Sequence, residues 1–195
     1  MFSDYYTLSN DHDPATFDLF LQWLYTRKYQ EKDELAIFHA GFEDIALEDL
    51  DYVHDDAMGW AIKAAVLCWE LGASLGAKNF QNYAMERLFE GFSRPLSRPL
   101  ILFLFLHTYL VGNEENFHCI SPLQRLIQDV IVRNWGDDTI IQHEDKEIWS
   151  DTVEACHDFR RVFIEATSQT LERRRERELS LEDYLIHQEF DMRIR

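Results

Sequence analysis

Apolar side chains recur at helical spacing along most of the chain. Phe17, Phe20, Leu21, Leu24 and Tyr25 fall at i, i+3, i+4, i+7 and i+8, which puts one apolar face on two turns of helix. Asp13-Pro14 opens that helix: the carboxylate can accept from an orphan amide of the first turn, and the missing N–H of Pro14 costs nothing there. Ile62, Ala65, Val66 and Trp69 share a face of a helix over Ala57 to Leu71, and Phe80, Tyr83, Ala84 and Leu88 share one over Lys78 to Phe92. Further helices are predicted at Leu100 to Val111, at Leu123 to Trp135 behind a Ser121-Pro122 start, and as one long pattern from Lys146 to about Arg177. Ser180 caps a last short helix through Tyr184 and Leu185. Strand formers cluster only at Tyr5 to Leu8 and Leu35 to His39, each too short to make a sheet alone. The fold class predicted is mainly α, with at most one or two short strands.

Breakers divide this pattern. Gly72-Ala73-Ser74-Leu75-Gly76 separates two helices that are expected to pack as neighbours. Ser93-Arg94-Pro95-Leu96-Ser97-Arg98-Pro99 carries two prolines and stops one helix before the next begins. It divides the chain into a domain over residues 1–93 and a helical extension over 94–195. No solenoid-type repeat is visible.

Length and composition narrow the function classes. The chain has 195 residues, 46% of them apolar and 14% aromatic, with seven Gly and four Pro. That is enough for a real core, and it excludes a disordered acidic tail. Thirty-six carboxylates against nineteen Lys and Arg give a net charge of -17, which argues against general binding to nucleic acid or anionic membrane. The excess is uneven: -11 over residues 1–60, 0 over 61–120 and -6 over 121–195. Cys68, Cys119 and Cys156 are widely spaced, as expected for reduced intracellular thiols. The acidic start Met1-Phe2-Ser3-Asp4 lacks the basic residues of a signal peptide. The apolar stretch Pro99 to Val111 spans thirteen residues, short of the roughly twenty a bilayer requires. An intracellular location, cytoplasmic or nuclear, is expected, with no membrane partner.

Candidate chemistry is sparse. Gly72 to Gly76 matches the G-x-S-x-G nucleophile elbow by letter, but that elbow needs a strand ahead of the serine, and Ile62 to Leu71 has helical periodicity. His118-Cys119 and Cys156-His157 are adjacent pairs without the spacing of a zinc site, and His143-Glu144 lacks the P-C-x-x-C half of a deaminase. Seven of the fourteen residues from Glu43 to Asp56 are acidic, yet no register places the glycine and glutamate of a calcium loop. Glu172-Arg173-Arg174-Arg175-Glu176-Arg177-Glu178 reads as a solvated helix end. No catalytic residue, metal ligand or cofactor site is expected.

Two blocks resemble a known family. Asp13-Pro14-Ala15-Thr16-Phe17-Asp18-Leu19-Phe20-Leu21-Gln22-Trp23-Leu24-Tyr25-Thr26 is similar to the first helix of the second half of a fungal BTB/POZ domain, and Tyr6 to Asp11 resembles the strand and acidic turn before it. Cys68-Trp69-Glu70-Leu71-Gly72-Ala73-Ser74-Leu75-Gly76-Ala77-Lys78-Asn79-Phe80-Gln81-Asn82-Tyr83-Ala84-Met85 is similar to the helix pair that closes such domains. A whole BTB domain has further strands and two helices ahead of this point, so the resemblance covers its later, helical half. It implies a non-enzymatic protein–protein interaction module whose partner is a protein, with a cullin-based ubiquitin ligase as the candidate. It also points to a partner surface at Tyr25, Lys28, Tyr29 and Glu31 together with Lys78, Asn79 and Asn82. The hydrophobic-x-Glu element with which such domains grip a cullin has no match here. The alternatives are a truncated or degenerate BTB fragment acting only as a scaffold, or a serine hydrolase using Gly72 to Gly76.

Overall fold

A computed structural model describes residues 14–30, 57–93, 120–141, 149–150, 153–154 and 157–187. They form a mainly α structure with no strand among them. The expected strands at 5–8 and 35–39, the acidic stretch 43–56 and the apolar helix 100–111 lie outside the described residues, as do Asp13 and most of the proline-rich 93–99 break. The chain divides into two compact units, residues 1–91 and 92–195.

The first unit is built from α1 (Pro14–Thr26), α2 (Ala57–Ser74) and α3 (Lys78–Ser93). Ala61, Ile62, Ala64, Ala65, Val66, Cys68, Trp69 and Leu71 of α2 are all buried. Small residues among the large ones let neighbours approach this helix from several sides, so it is a core helix and not a surface one. Two glycines admit α3 against it. A β-carbon on Gly72 would lie 2.7 Å from Gln81 Cγ, and one on Gly91 would lie 3.2 Å from Ile62 Cγ1. The two helices therefore touch near both ends in antiparallel order.

Residue chemistry also explains the link between them. Gly76 adopts φ +63°, a left-handed conformation that glycine reaches without a Cβ clash. Ala77 N–H donates to Gly72 O at 2.8 Å and Gly76 N–H to Ala73 O at 3.1 Å. This pair of bonds is the Schellman arrangement, which satisfies orphan carbonyls at a helix end.

On α1 the buried positions are Thr16, Leu19 and Trp23. That corrects the predicted face: Leu24 is 44% exposed and Tyr25 84% exposed. The helix carries large apolar residues on most of its circumference, and Trp23, the largest, takes the core. Its ring centroid lies 5.1 Å from Phe80, and Phe20 lies 5.0 Å from Phe80 in an edge-to-face pair.

The second unit centres on α4 (Pro122–Asn134). The Ser121-Pro122 start forms a full capping box, with Gln124 N–H donating to Ser121 Oγ at 3.2 Å and Ser121 N–H to Gln124 Oε1 at 3.0 Å. Leu123, Leu126, Ile127, Val130 and Ile131 form its buried face. Around it pack α5 (His157–Thr167), α6 (Leu171–Arg175) and a single 3-10 turn at Leu181–Tyr184. The pattern read as one helix to Arg177 is thus broken, because hydroxyls cap both sides of a gap. Thr167 Oγ1 donates to Phe163 O at 2.7 Å and Ser168 Oγ to Glu165 O at 2.6 Å, while Thr170 Oγ1 accepts from Arg173 N–H at 3.3 Å. Such side chains compete with helix propagation.

Candidate functional site

The surface implied by the resemblance lies where α1 ends. Thr26 Oγ1 donates to Gln22 O at 2.7 Å, and Arg27 N–H donates to Trp23 O at 2.7 Å. Arg27 itself takes φ +64°, an uncommon conformation for a residue with a Cβ. Its guanidinium sits 5.2 Å from the Trp23 ring centroid, a cation–π contact that helps hold the turn. The turn leaves Tyr25 and Lys28 exposed and sends the chain back toward α3.

Tyr29 is the exception among the expected surface residues. It is 3% exposed, with its ring edge-on to Tyr83 at 5.3 Å and its N–H donating to the Tyr83 hydroxyl at 3.3 Å. The physical reason is the Arg27 turn, which aims the following segment at the first turns of α3, so Tyr29 is core. Lys78 and Asn79 are exposed and Asn82 is half-buried. Glu31 lies outside the described residues. The two stretches meet: Trp23 and Tyr29 both contact Tyr83, the residue after Asn82. Leu24 and Tyr25 therefore form an exposed apolar pair, with the cations Arg27 and Lys28 just beyond them in the chain.

The Gly72 to Gly76 letter match has no elbow geometry. Ser74 is the last residue of α2, and its hydroxyl donates to Glu70 O at 3.2 Å. No strand delivers it, and the turn behind it is a helix stop. Cys68 is a free thiol at the centre of α2, and burial pushes its pKa well above that of an ordinary thiol, so it is protonated and inert. Cys119, Cys156, His118 and His143 lie outside the described residues, and among the described residues no group of three His, Cys, Asp or Glu is placed to hold a metal. No described helix is long and apolar enough to cross a membrane.

Sequence reasoning missed the second unit's polar architecture. The arginines of the 172–178 run reach the C-terminal end of α4. Arg175 donates to Asn134 Oδ1 at 2.9 Å and to Asp137 Oδ2 at 2.6 Å, and Arg174 donates to the carbonyls of Trp135 and Gln169. Cations at a helix C-terminus meet the negative end of its dipole and its orphan carbonyls. Hydrogen bonds from Thr139 and Arg175 hold the Asp137 carboxyl down to about 2. Arg133 donates to Arg177 O, and Arg125 donates to Asp183 O at 2.8 Å and lies over the Tyr184 ring. The Tyr184 hydroxyl donates to Asp129 Oδ2 at 2.7 Å, and burial with this bond raises its pKa.

Cavities open among the described residues of this unit. One, of about 520 Å³, is walled by Trp135, Trp149 and Phe163, with Glu154 and Arg160 also lining it. Trp135 stands edge-on to both other rings, at 5.0 and 4.7 Å. Another, of about 320 Å³, is lined by four arginines. Compared with known proteins, the chain matches no family model, no curated protein and no solved structure.

Proposed function

We propose that this chain is a non-enzymatic, intracellular protein–protein interaction module of the BTB/POZ type, acting as an adaptor for a cullin-based ubiquitin ligase. The family assignment rests on the Asp13 to Thr26 and Cys68 to Met85 blocks. The observation that carries the binding role is Tyr25, 84% exposed at the end of α1. A large aromatic left in water beside Leu24, with Arg27 and Lys28 close by, has the composition of an interface anchor with a polar rim. The cations also fit an acidic facing patch, which would steer association despite the negative chain. Lys78, Asn79 and Asn82 would extend the contact along α3.

The test is direct binding of the purified chain to a purified cullin N-terminal region. Binding that weakens about tenfold or more in Tyr25→Ala, as loss of a hot-spot aromatic does, and falls further in Tyr25→Ala/Lys28→Glu, is the expected result. Absence of cullin binding, with the chain folded, would leave a scaffold with other protein partners and would end the adaptor reading.

A further inference from the structure

The second unit holds a cationic cavity in a chain that is otherwise strongly acidic. Arg133, Arg173, Arg174 and Arg177 line the cavity of about 320 Å³ between α4, α5 and the α6 segment, over an apolar wall that includes Val162 and Leu179. With thirty-six carboxylates in the sequence, arginines this close together would be expected to carry carboxylate partners. Among the described residues Arg133 and Arg177 form no ion pair with a carboxylate, while Arg174 lies near enough to Glu172 to lower the pKa of that carboxyl. Arg133 donates to the backbone carbonyl of Arg177, and Arg174 donates to the carbonyls of Gln169 and Trp135. Arg174 Nε is buried with no hydrogen-bond partner. Arg177 is exposed at the cavity rim, and its guanidinium makes no hydrogen bond or ion pair among the described residues. Only Arg173 is paired, with Glu176, and that pair is well exposed.

Two carboxylates also face the cavity, and they differ. Asp129 accepts the Tyr184 hydroxyl at 2.7 Å, so it is committed to the fold. Glu165 lies on the exposed side of α5 and subtracts from the positive field.

We infer that this cavity is a binding site for a phosphate monoester dianion, either free or carried on a phosphorylated side chain. The guanidinium fork matches phosphate oxygens, and charge-assisted bonds of this kind are about twice as strong as neutral ones. A volume of about 320 Å³ suits one phosphate and a small organic body, at the low end of ligand pockets. The net charge of -17 selects a compact dianion over a polyanion. A single phosphate feels mainly the arginines within a Debye length of roughly 8–10 Å, whereas a nucleic acid strand would run on across the acidic surface. The inference concerns the second unit and stands apart from the partner surface proposed for the first.

The experiment is titration of the full chain with phenyl phosphate at physiological salt, followed by calorimetry and by the arginine Nε–H resonances. Saturable binding is expected, weakened about tenfold in Arg177→Gln, where one charge-assisted donor is lost. It should tighten in Glu165→Gln and stay unchanged in Asp18→Asn, a charge removed from α1. Should Arg177→Gln fail to fold, Arg173→Gln replaces it, since that side chain pairs only at the exposed surface. A phosphoserine peptide binding much more tightly than phenyl phosphate, with its unphosphorylated form silent, assigns a presented side chain; equal affinities assign a free ester. No saturation, indifference to both arginine variants, or tighter binding of a single-stranded oligonucleotide would overturn the site.

Discussion

The two units solve the same problem, tying three or more helices together, with different chemistry. In the first, helix α2 is buried along most of its length, and rings from α1 and α3 interlock around Phe80. In the second, α4 is likewise buried around most of its circumference, but it has a capped start and its C-terminal end is held by arginines donating to Asn134, Asp137 and Trp135. Dispersion and apolar burial stabilise the first unit and tolerate little change of shape. The second has an apolar core as well and adds to it directed charge-assisted bonds, which respond to ionisation.

The largest test of that contrast is Phe80→Ala. It removes the ring shared by Phe20 and Trp23 and leaves a cavity, a change that costs about 3–5 kcal/mol in well-packed cores. Hydrogen exchange should show the α1 to α3 amides losing protection while those of α4 keep theirs. Equal loss in both units would show that their packing is not separable.

Next in size is Arg175→Ala, which strips the bonds to Asn134 and Asp137. Loss of charge-assisted bonds at a partly buried site costs about 1.5–3 kcal/mol. The same exchange experiment should now report the reverse pattern, with α4 and α6 amides exposed and α2 unaffected.

These variants also mark what could be read from the sequence. The helices at 57–74, 78–93 and 122–134 were legible because periodicity, glycine stops and the Ser121-Pro122 cap are local signals. The face of α1 was misread because Phe17, Leu19, Phe20, Leu21, Trp23, Leu24 and Tyr25 leave few polar positions to orient it, and only the tertiary fit of Trp23 beside Phe80 chooses. Tyr29 belongs to the surface that the family resemblance implies, and nothing in the sequence announces the left-handed turn at Arg27 that buries it, a conformation usually left to Gly or Asn. The arginine run is mostly exposed, as a solvated helix end should be, but Arg174 and Arg175 are half-buried because their partners are a backbone carbonyl and an asparagine about forty residues earlier, which no local pattern contains. One hint was available: positive charge concentrated in an acidic chain must be compensated or used.

A smaller effect is expected at the α2–α3 link. Gly76 has φ +63° and open space where a β-carbon would go, so Gly76→Ala costs only the strain of a left-handed non-glycine residue, about 1 kcal/mol. Gly72→Ala, by contrast, meets Gln81 Cγ at 2.7 Å and must displace α3 or the Gln81 side chain. If thermal melts rank Gly76→Ala as the more damaging, the close approach of the two helices is not what holds the first unit.

The finest distinction between the units is their response to acid. Asp137 is held down to about 2 by the Thr139 and Arg175 bonds, against about 3.9 for an unfolded aspartate. A carboxyl depressed in the folded state contributes stability that is fully present above its unfolded pKa and lost as pH falls through the folded one. The contribution of Asp137 is therefore complete above about pH 5 and fades between about 4 and 2. Asp137→Asn keeps a similar shape but cannot ionise. The melting temperature of the second unit should be lower in this variant at pH 6, and the difference should close toward pH 2. A tryptophan probe confined to Trp23 or Trp69 should melt identically in both proteins across that range, since both belong to the first unit and Asp137 to the second. A gap that persists unchanged at pH 2 would mean that Asp137 acts through shape alone, and that the contrast between an apolar first unit and an electrostatically fixed second one is wrong at this position.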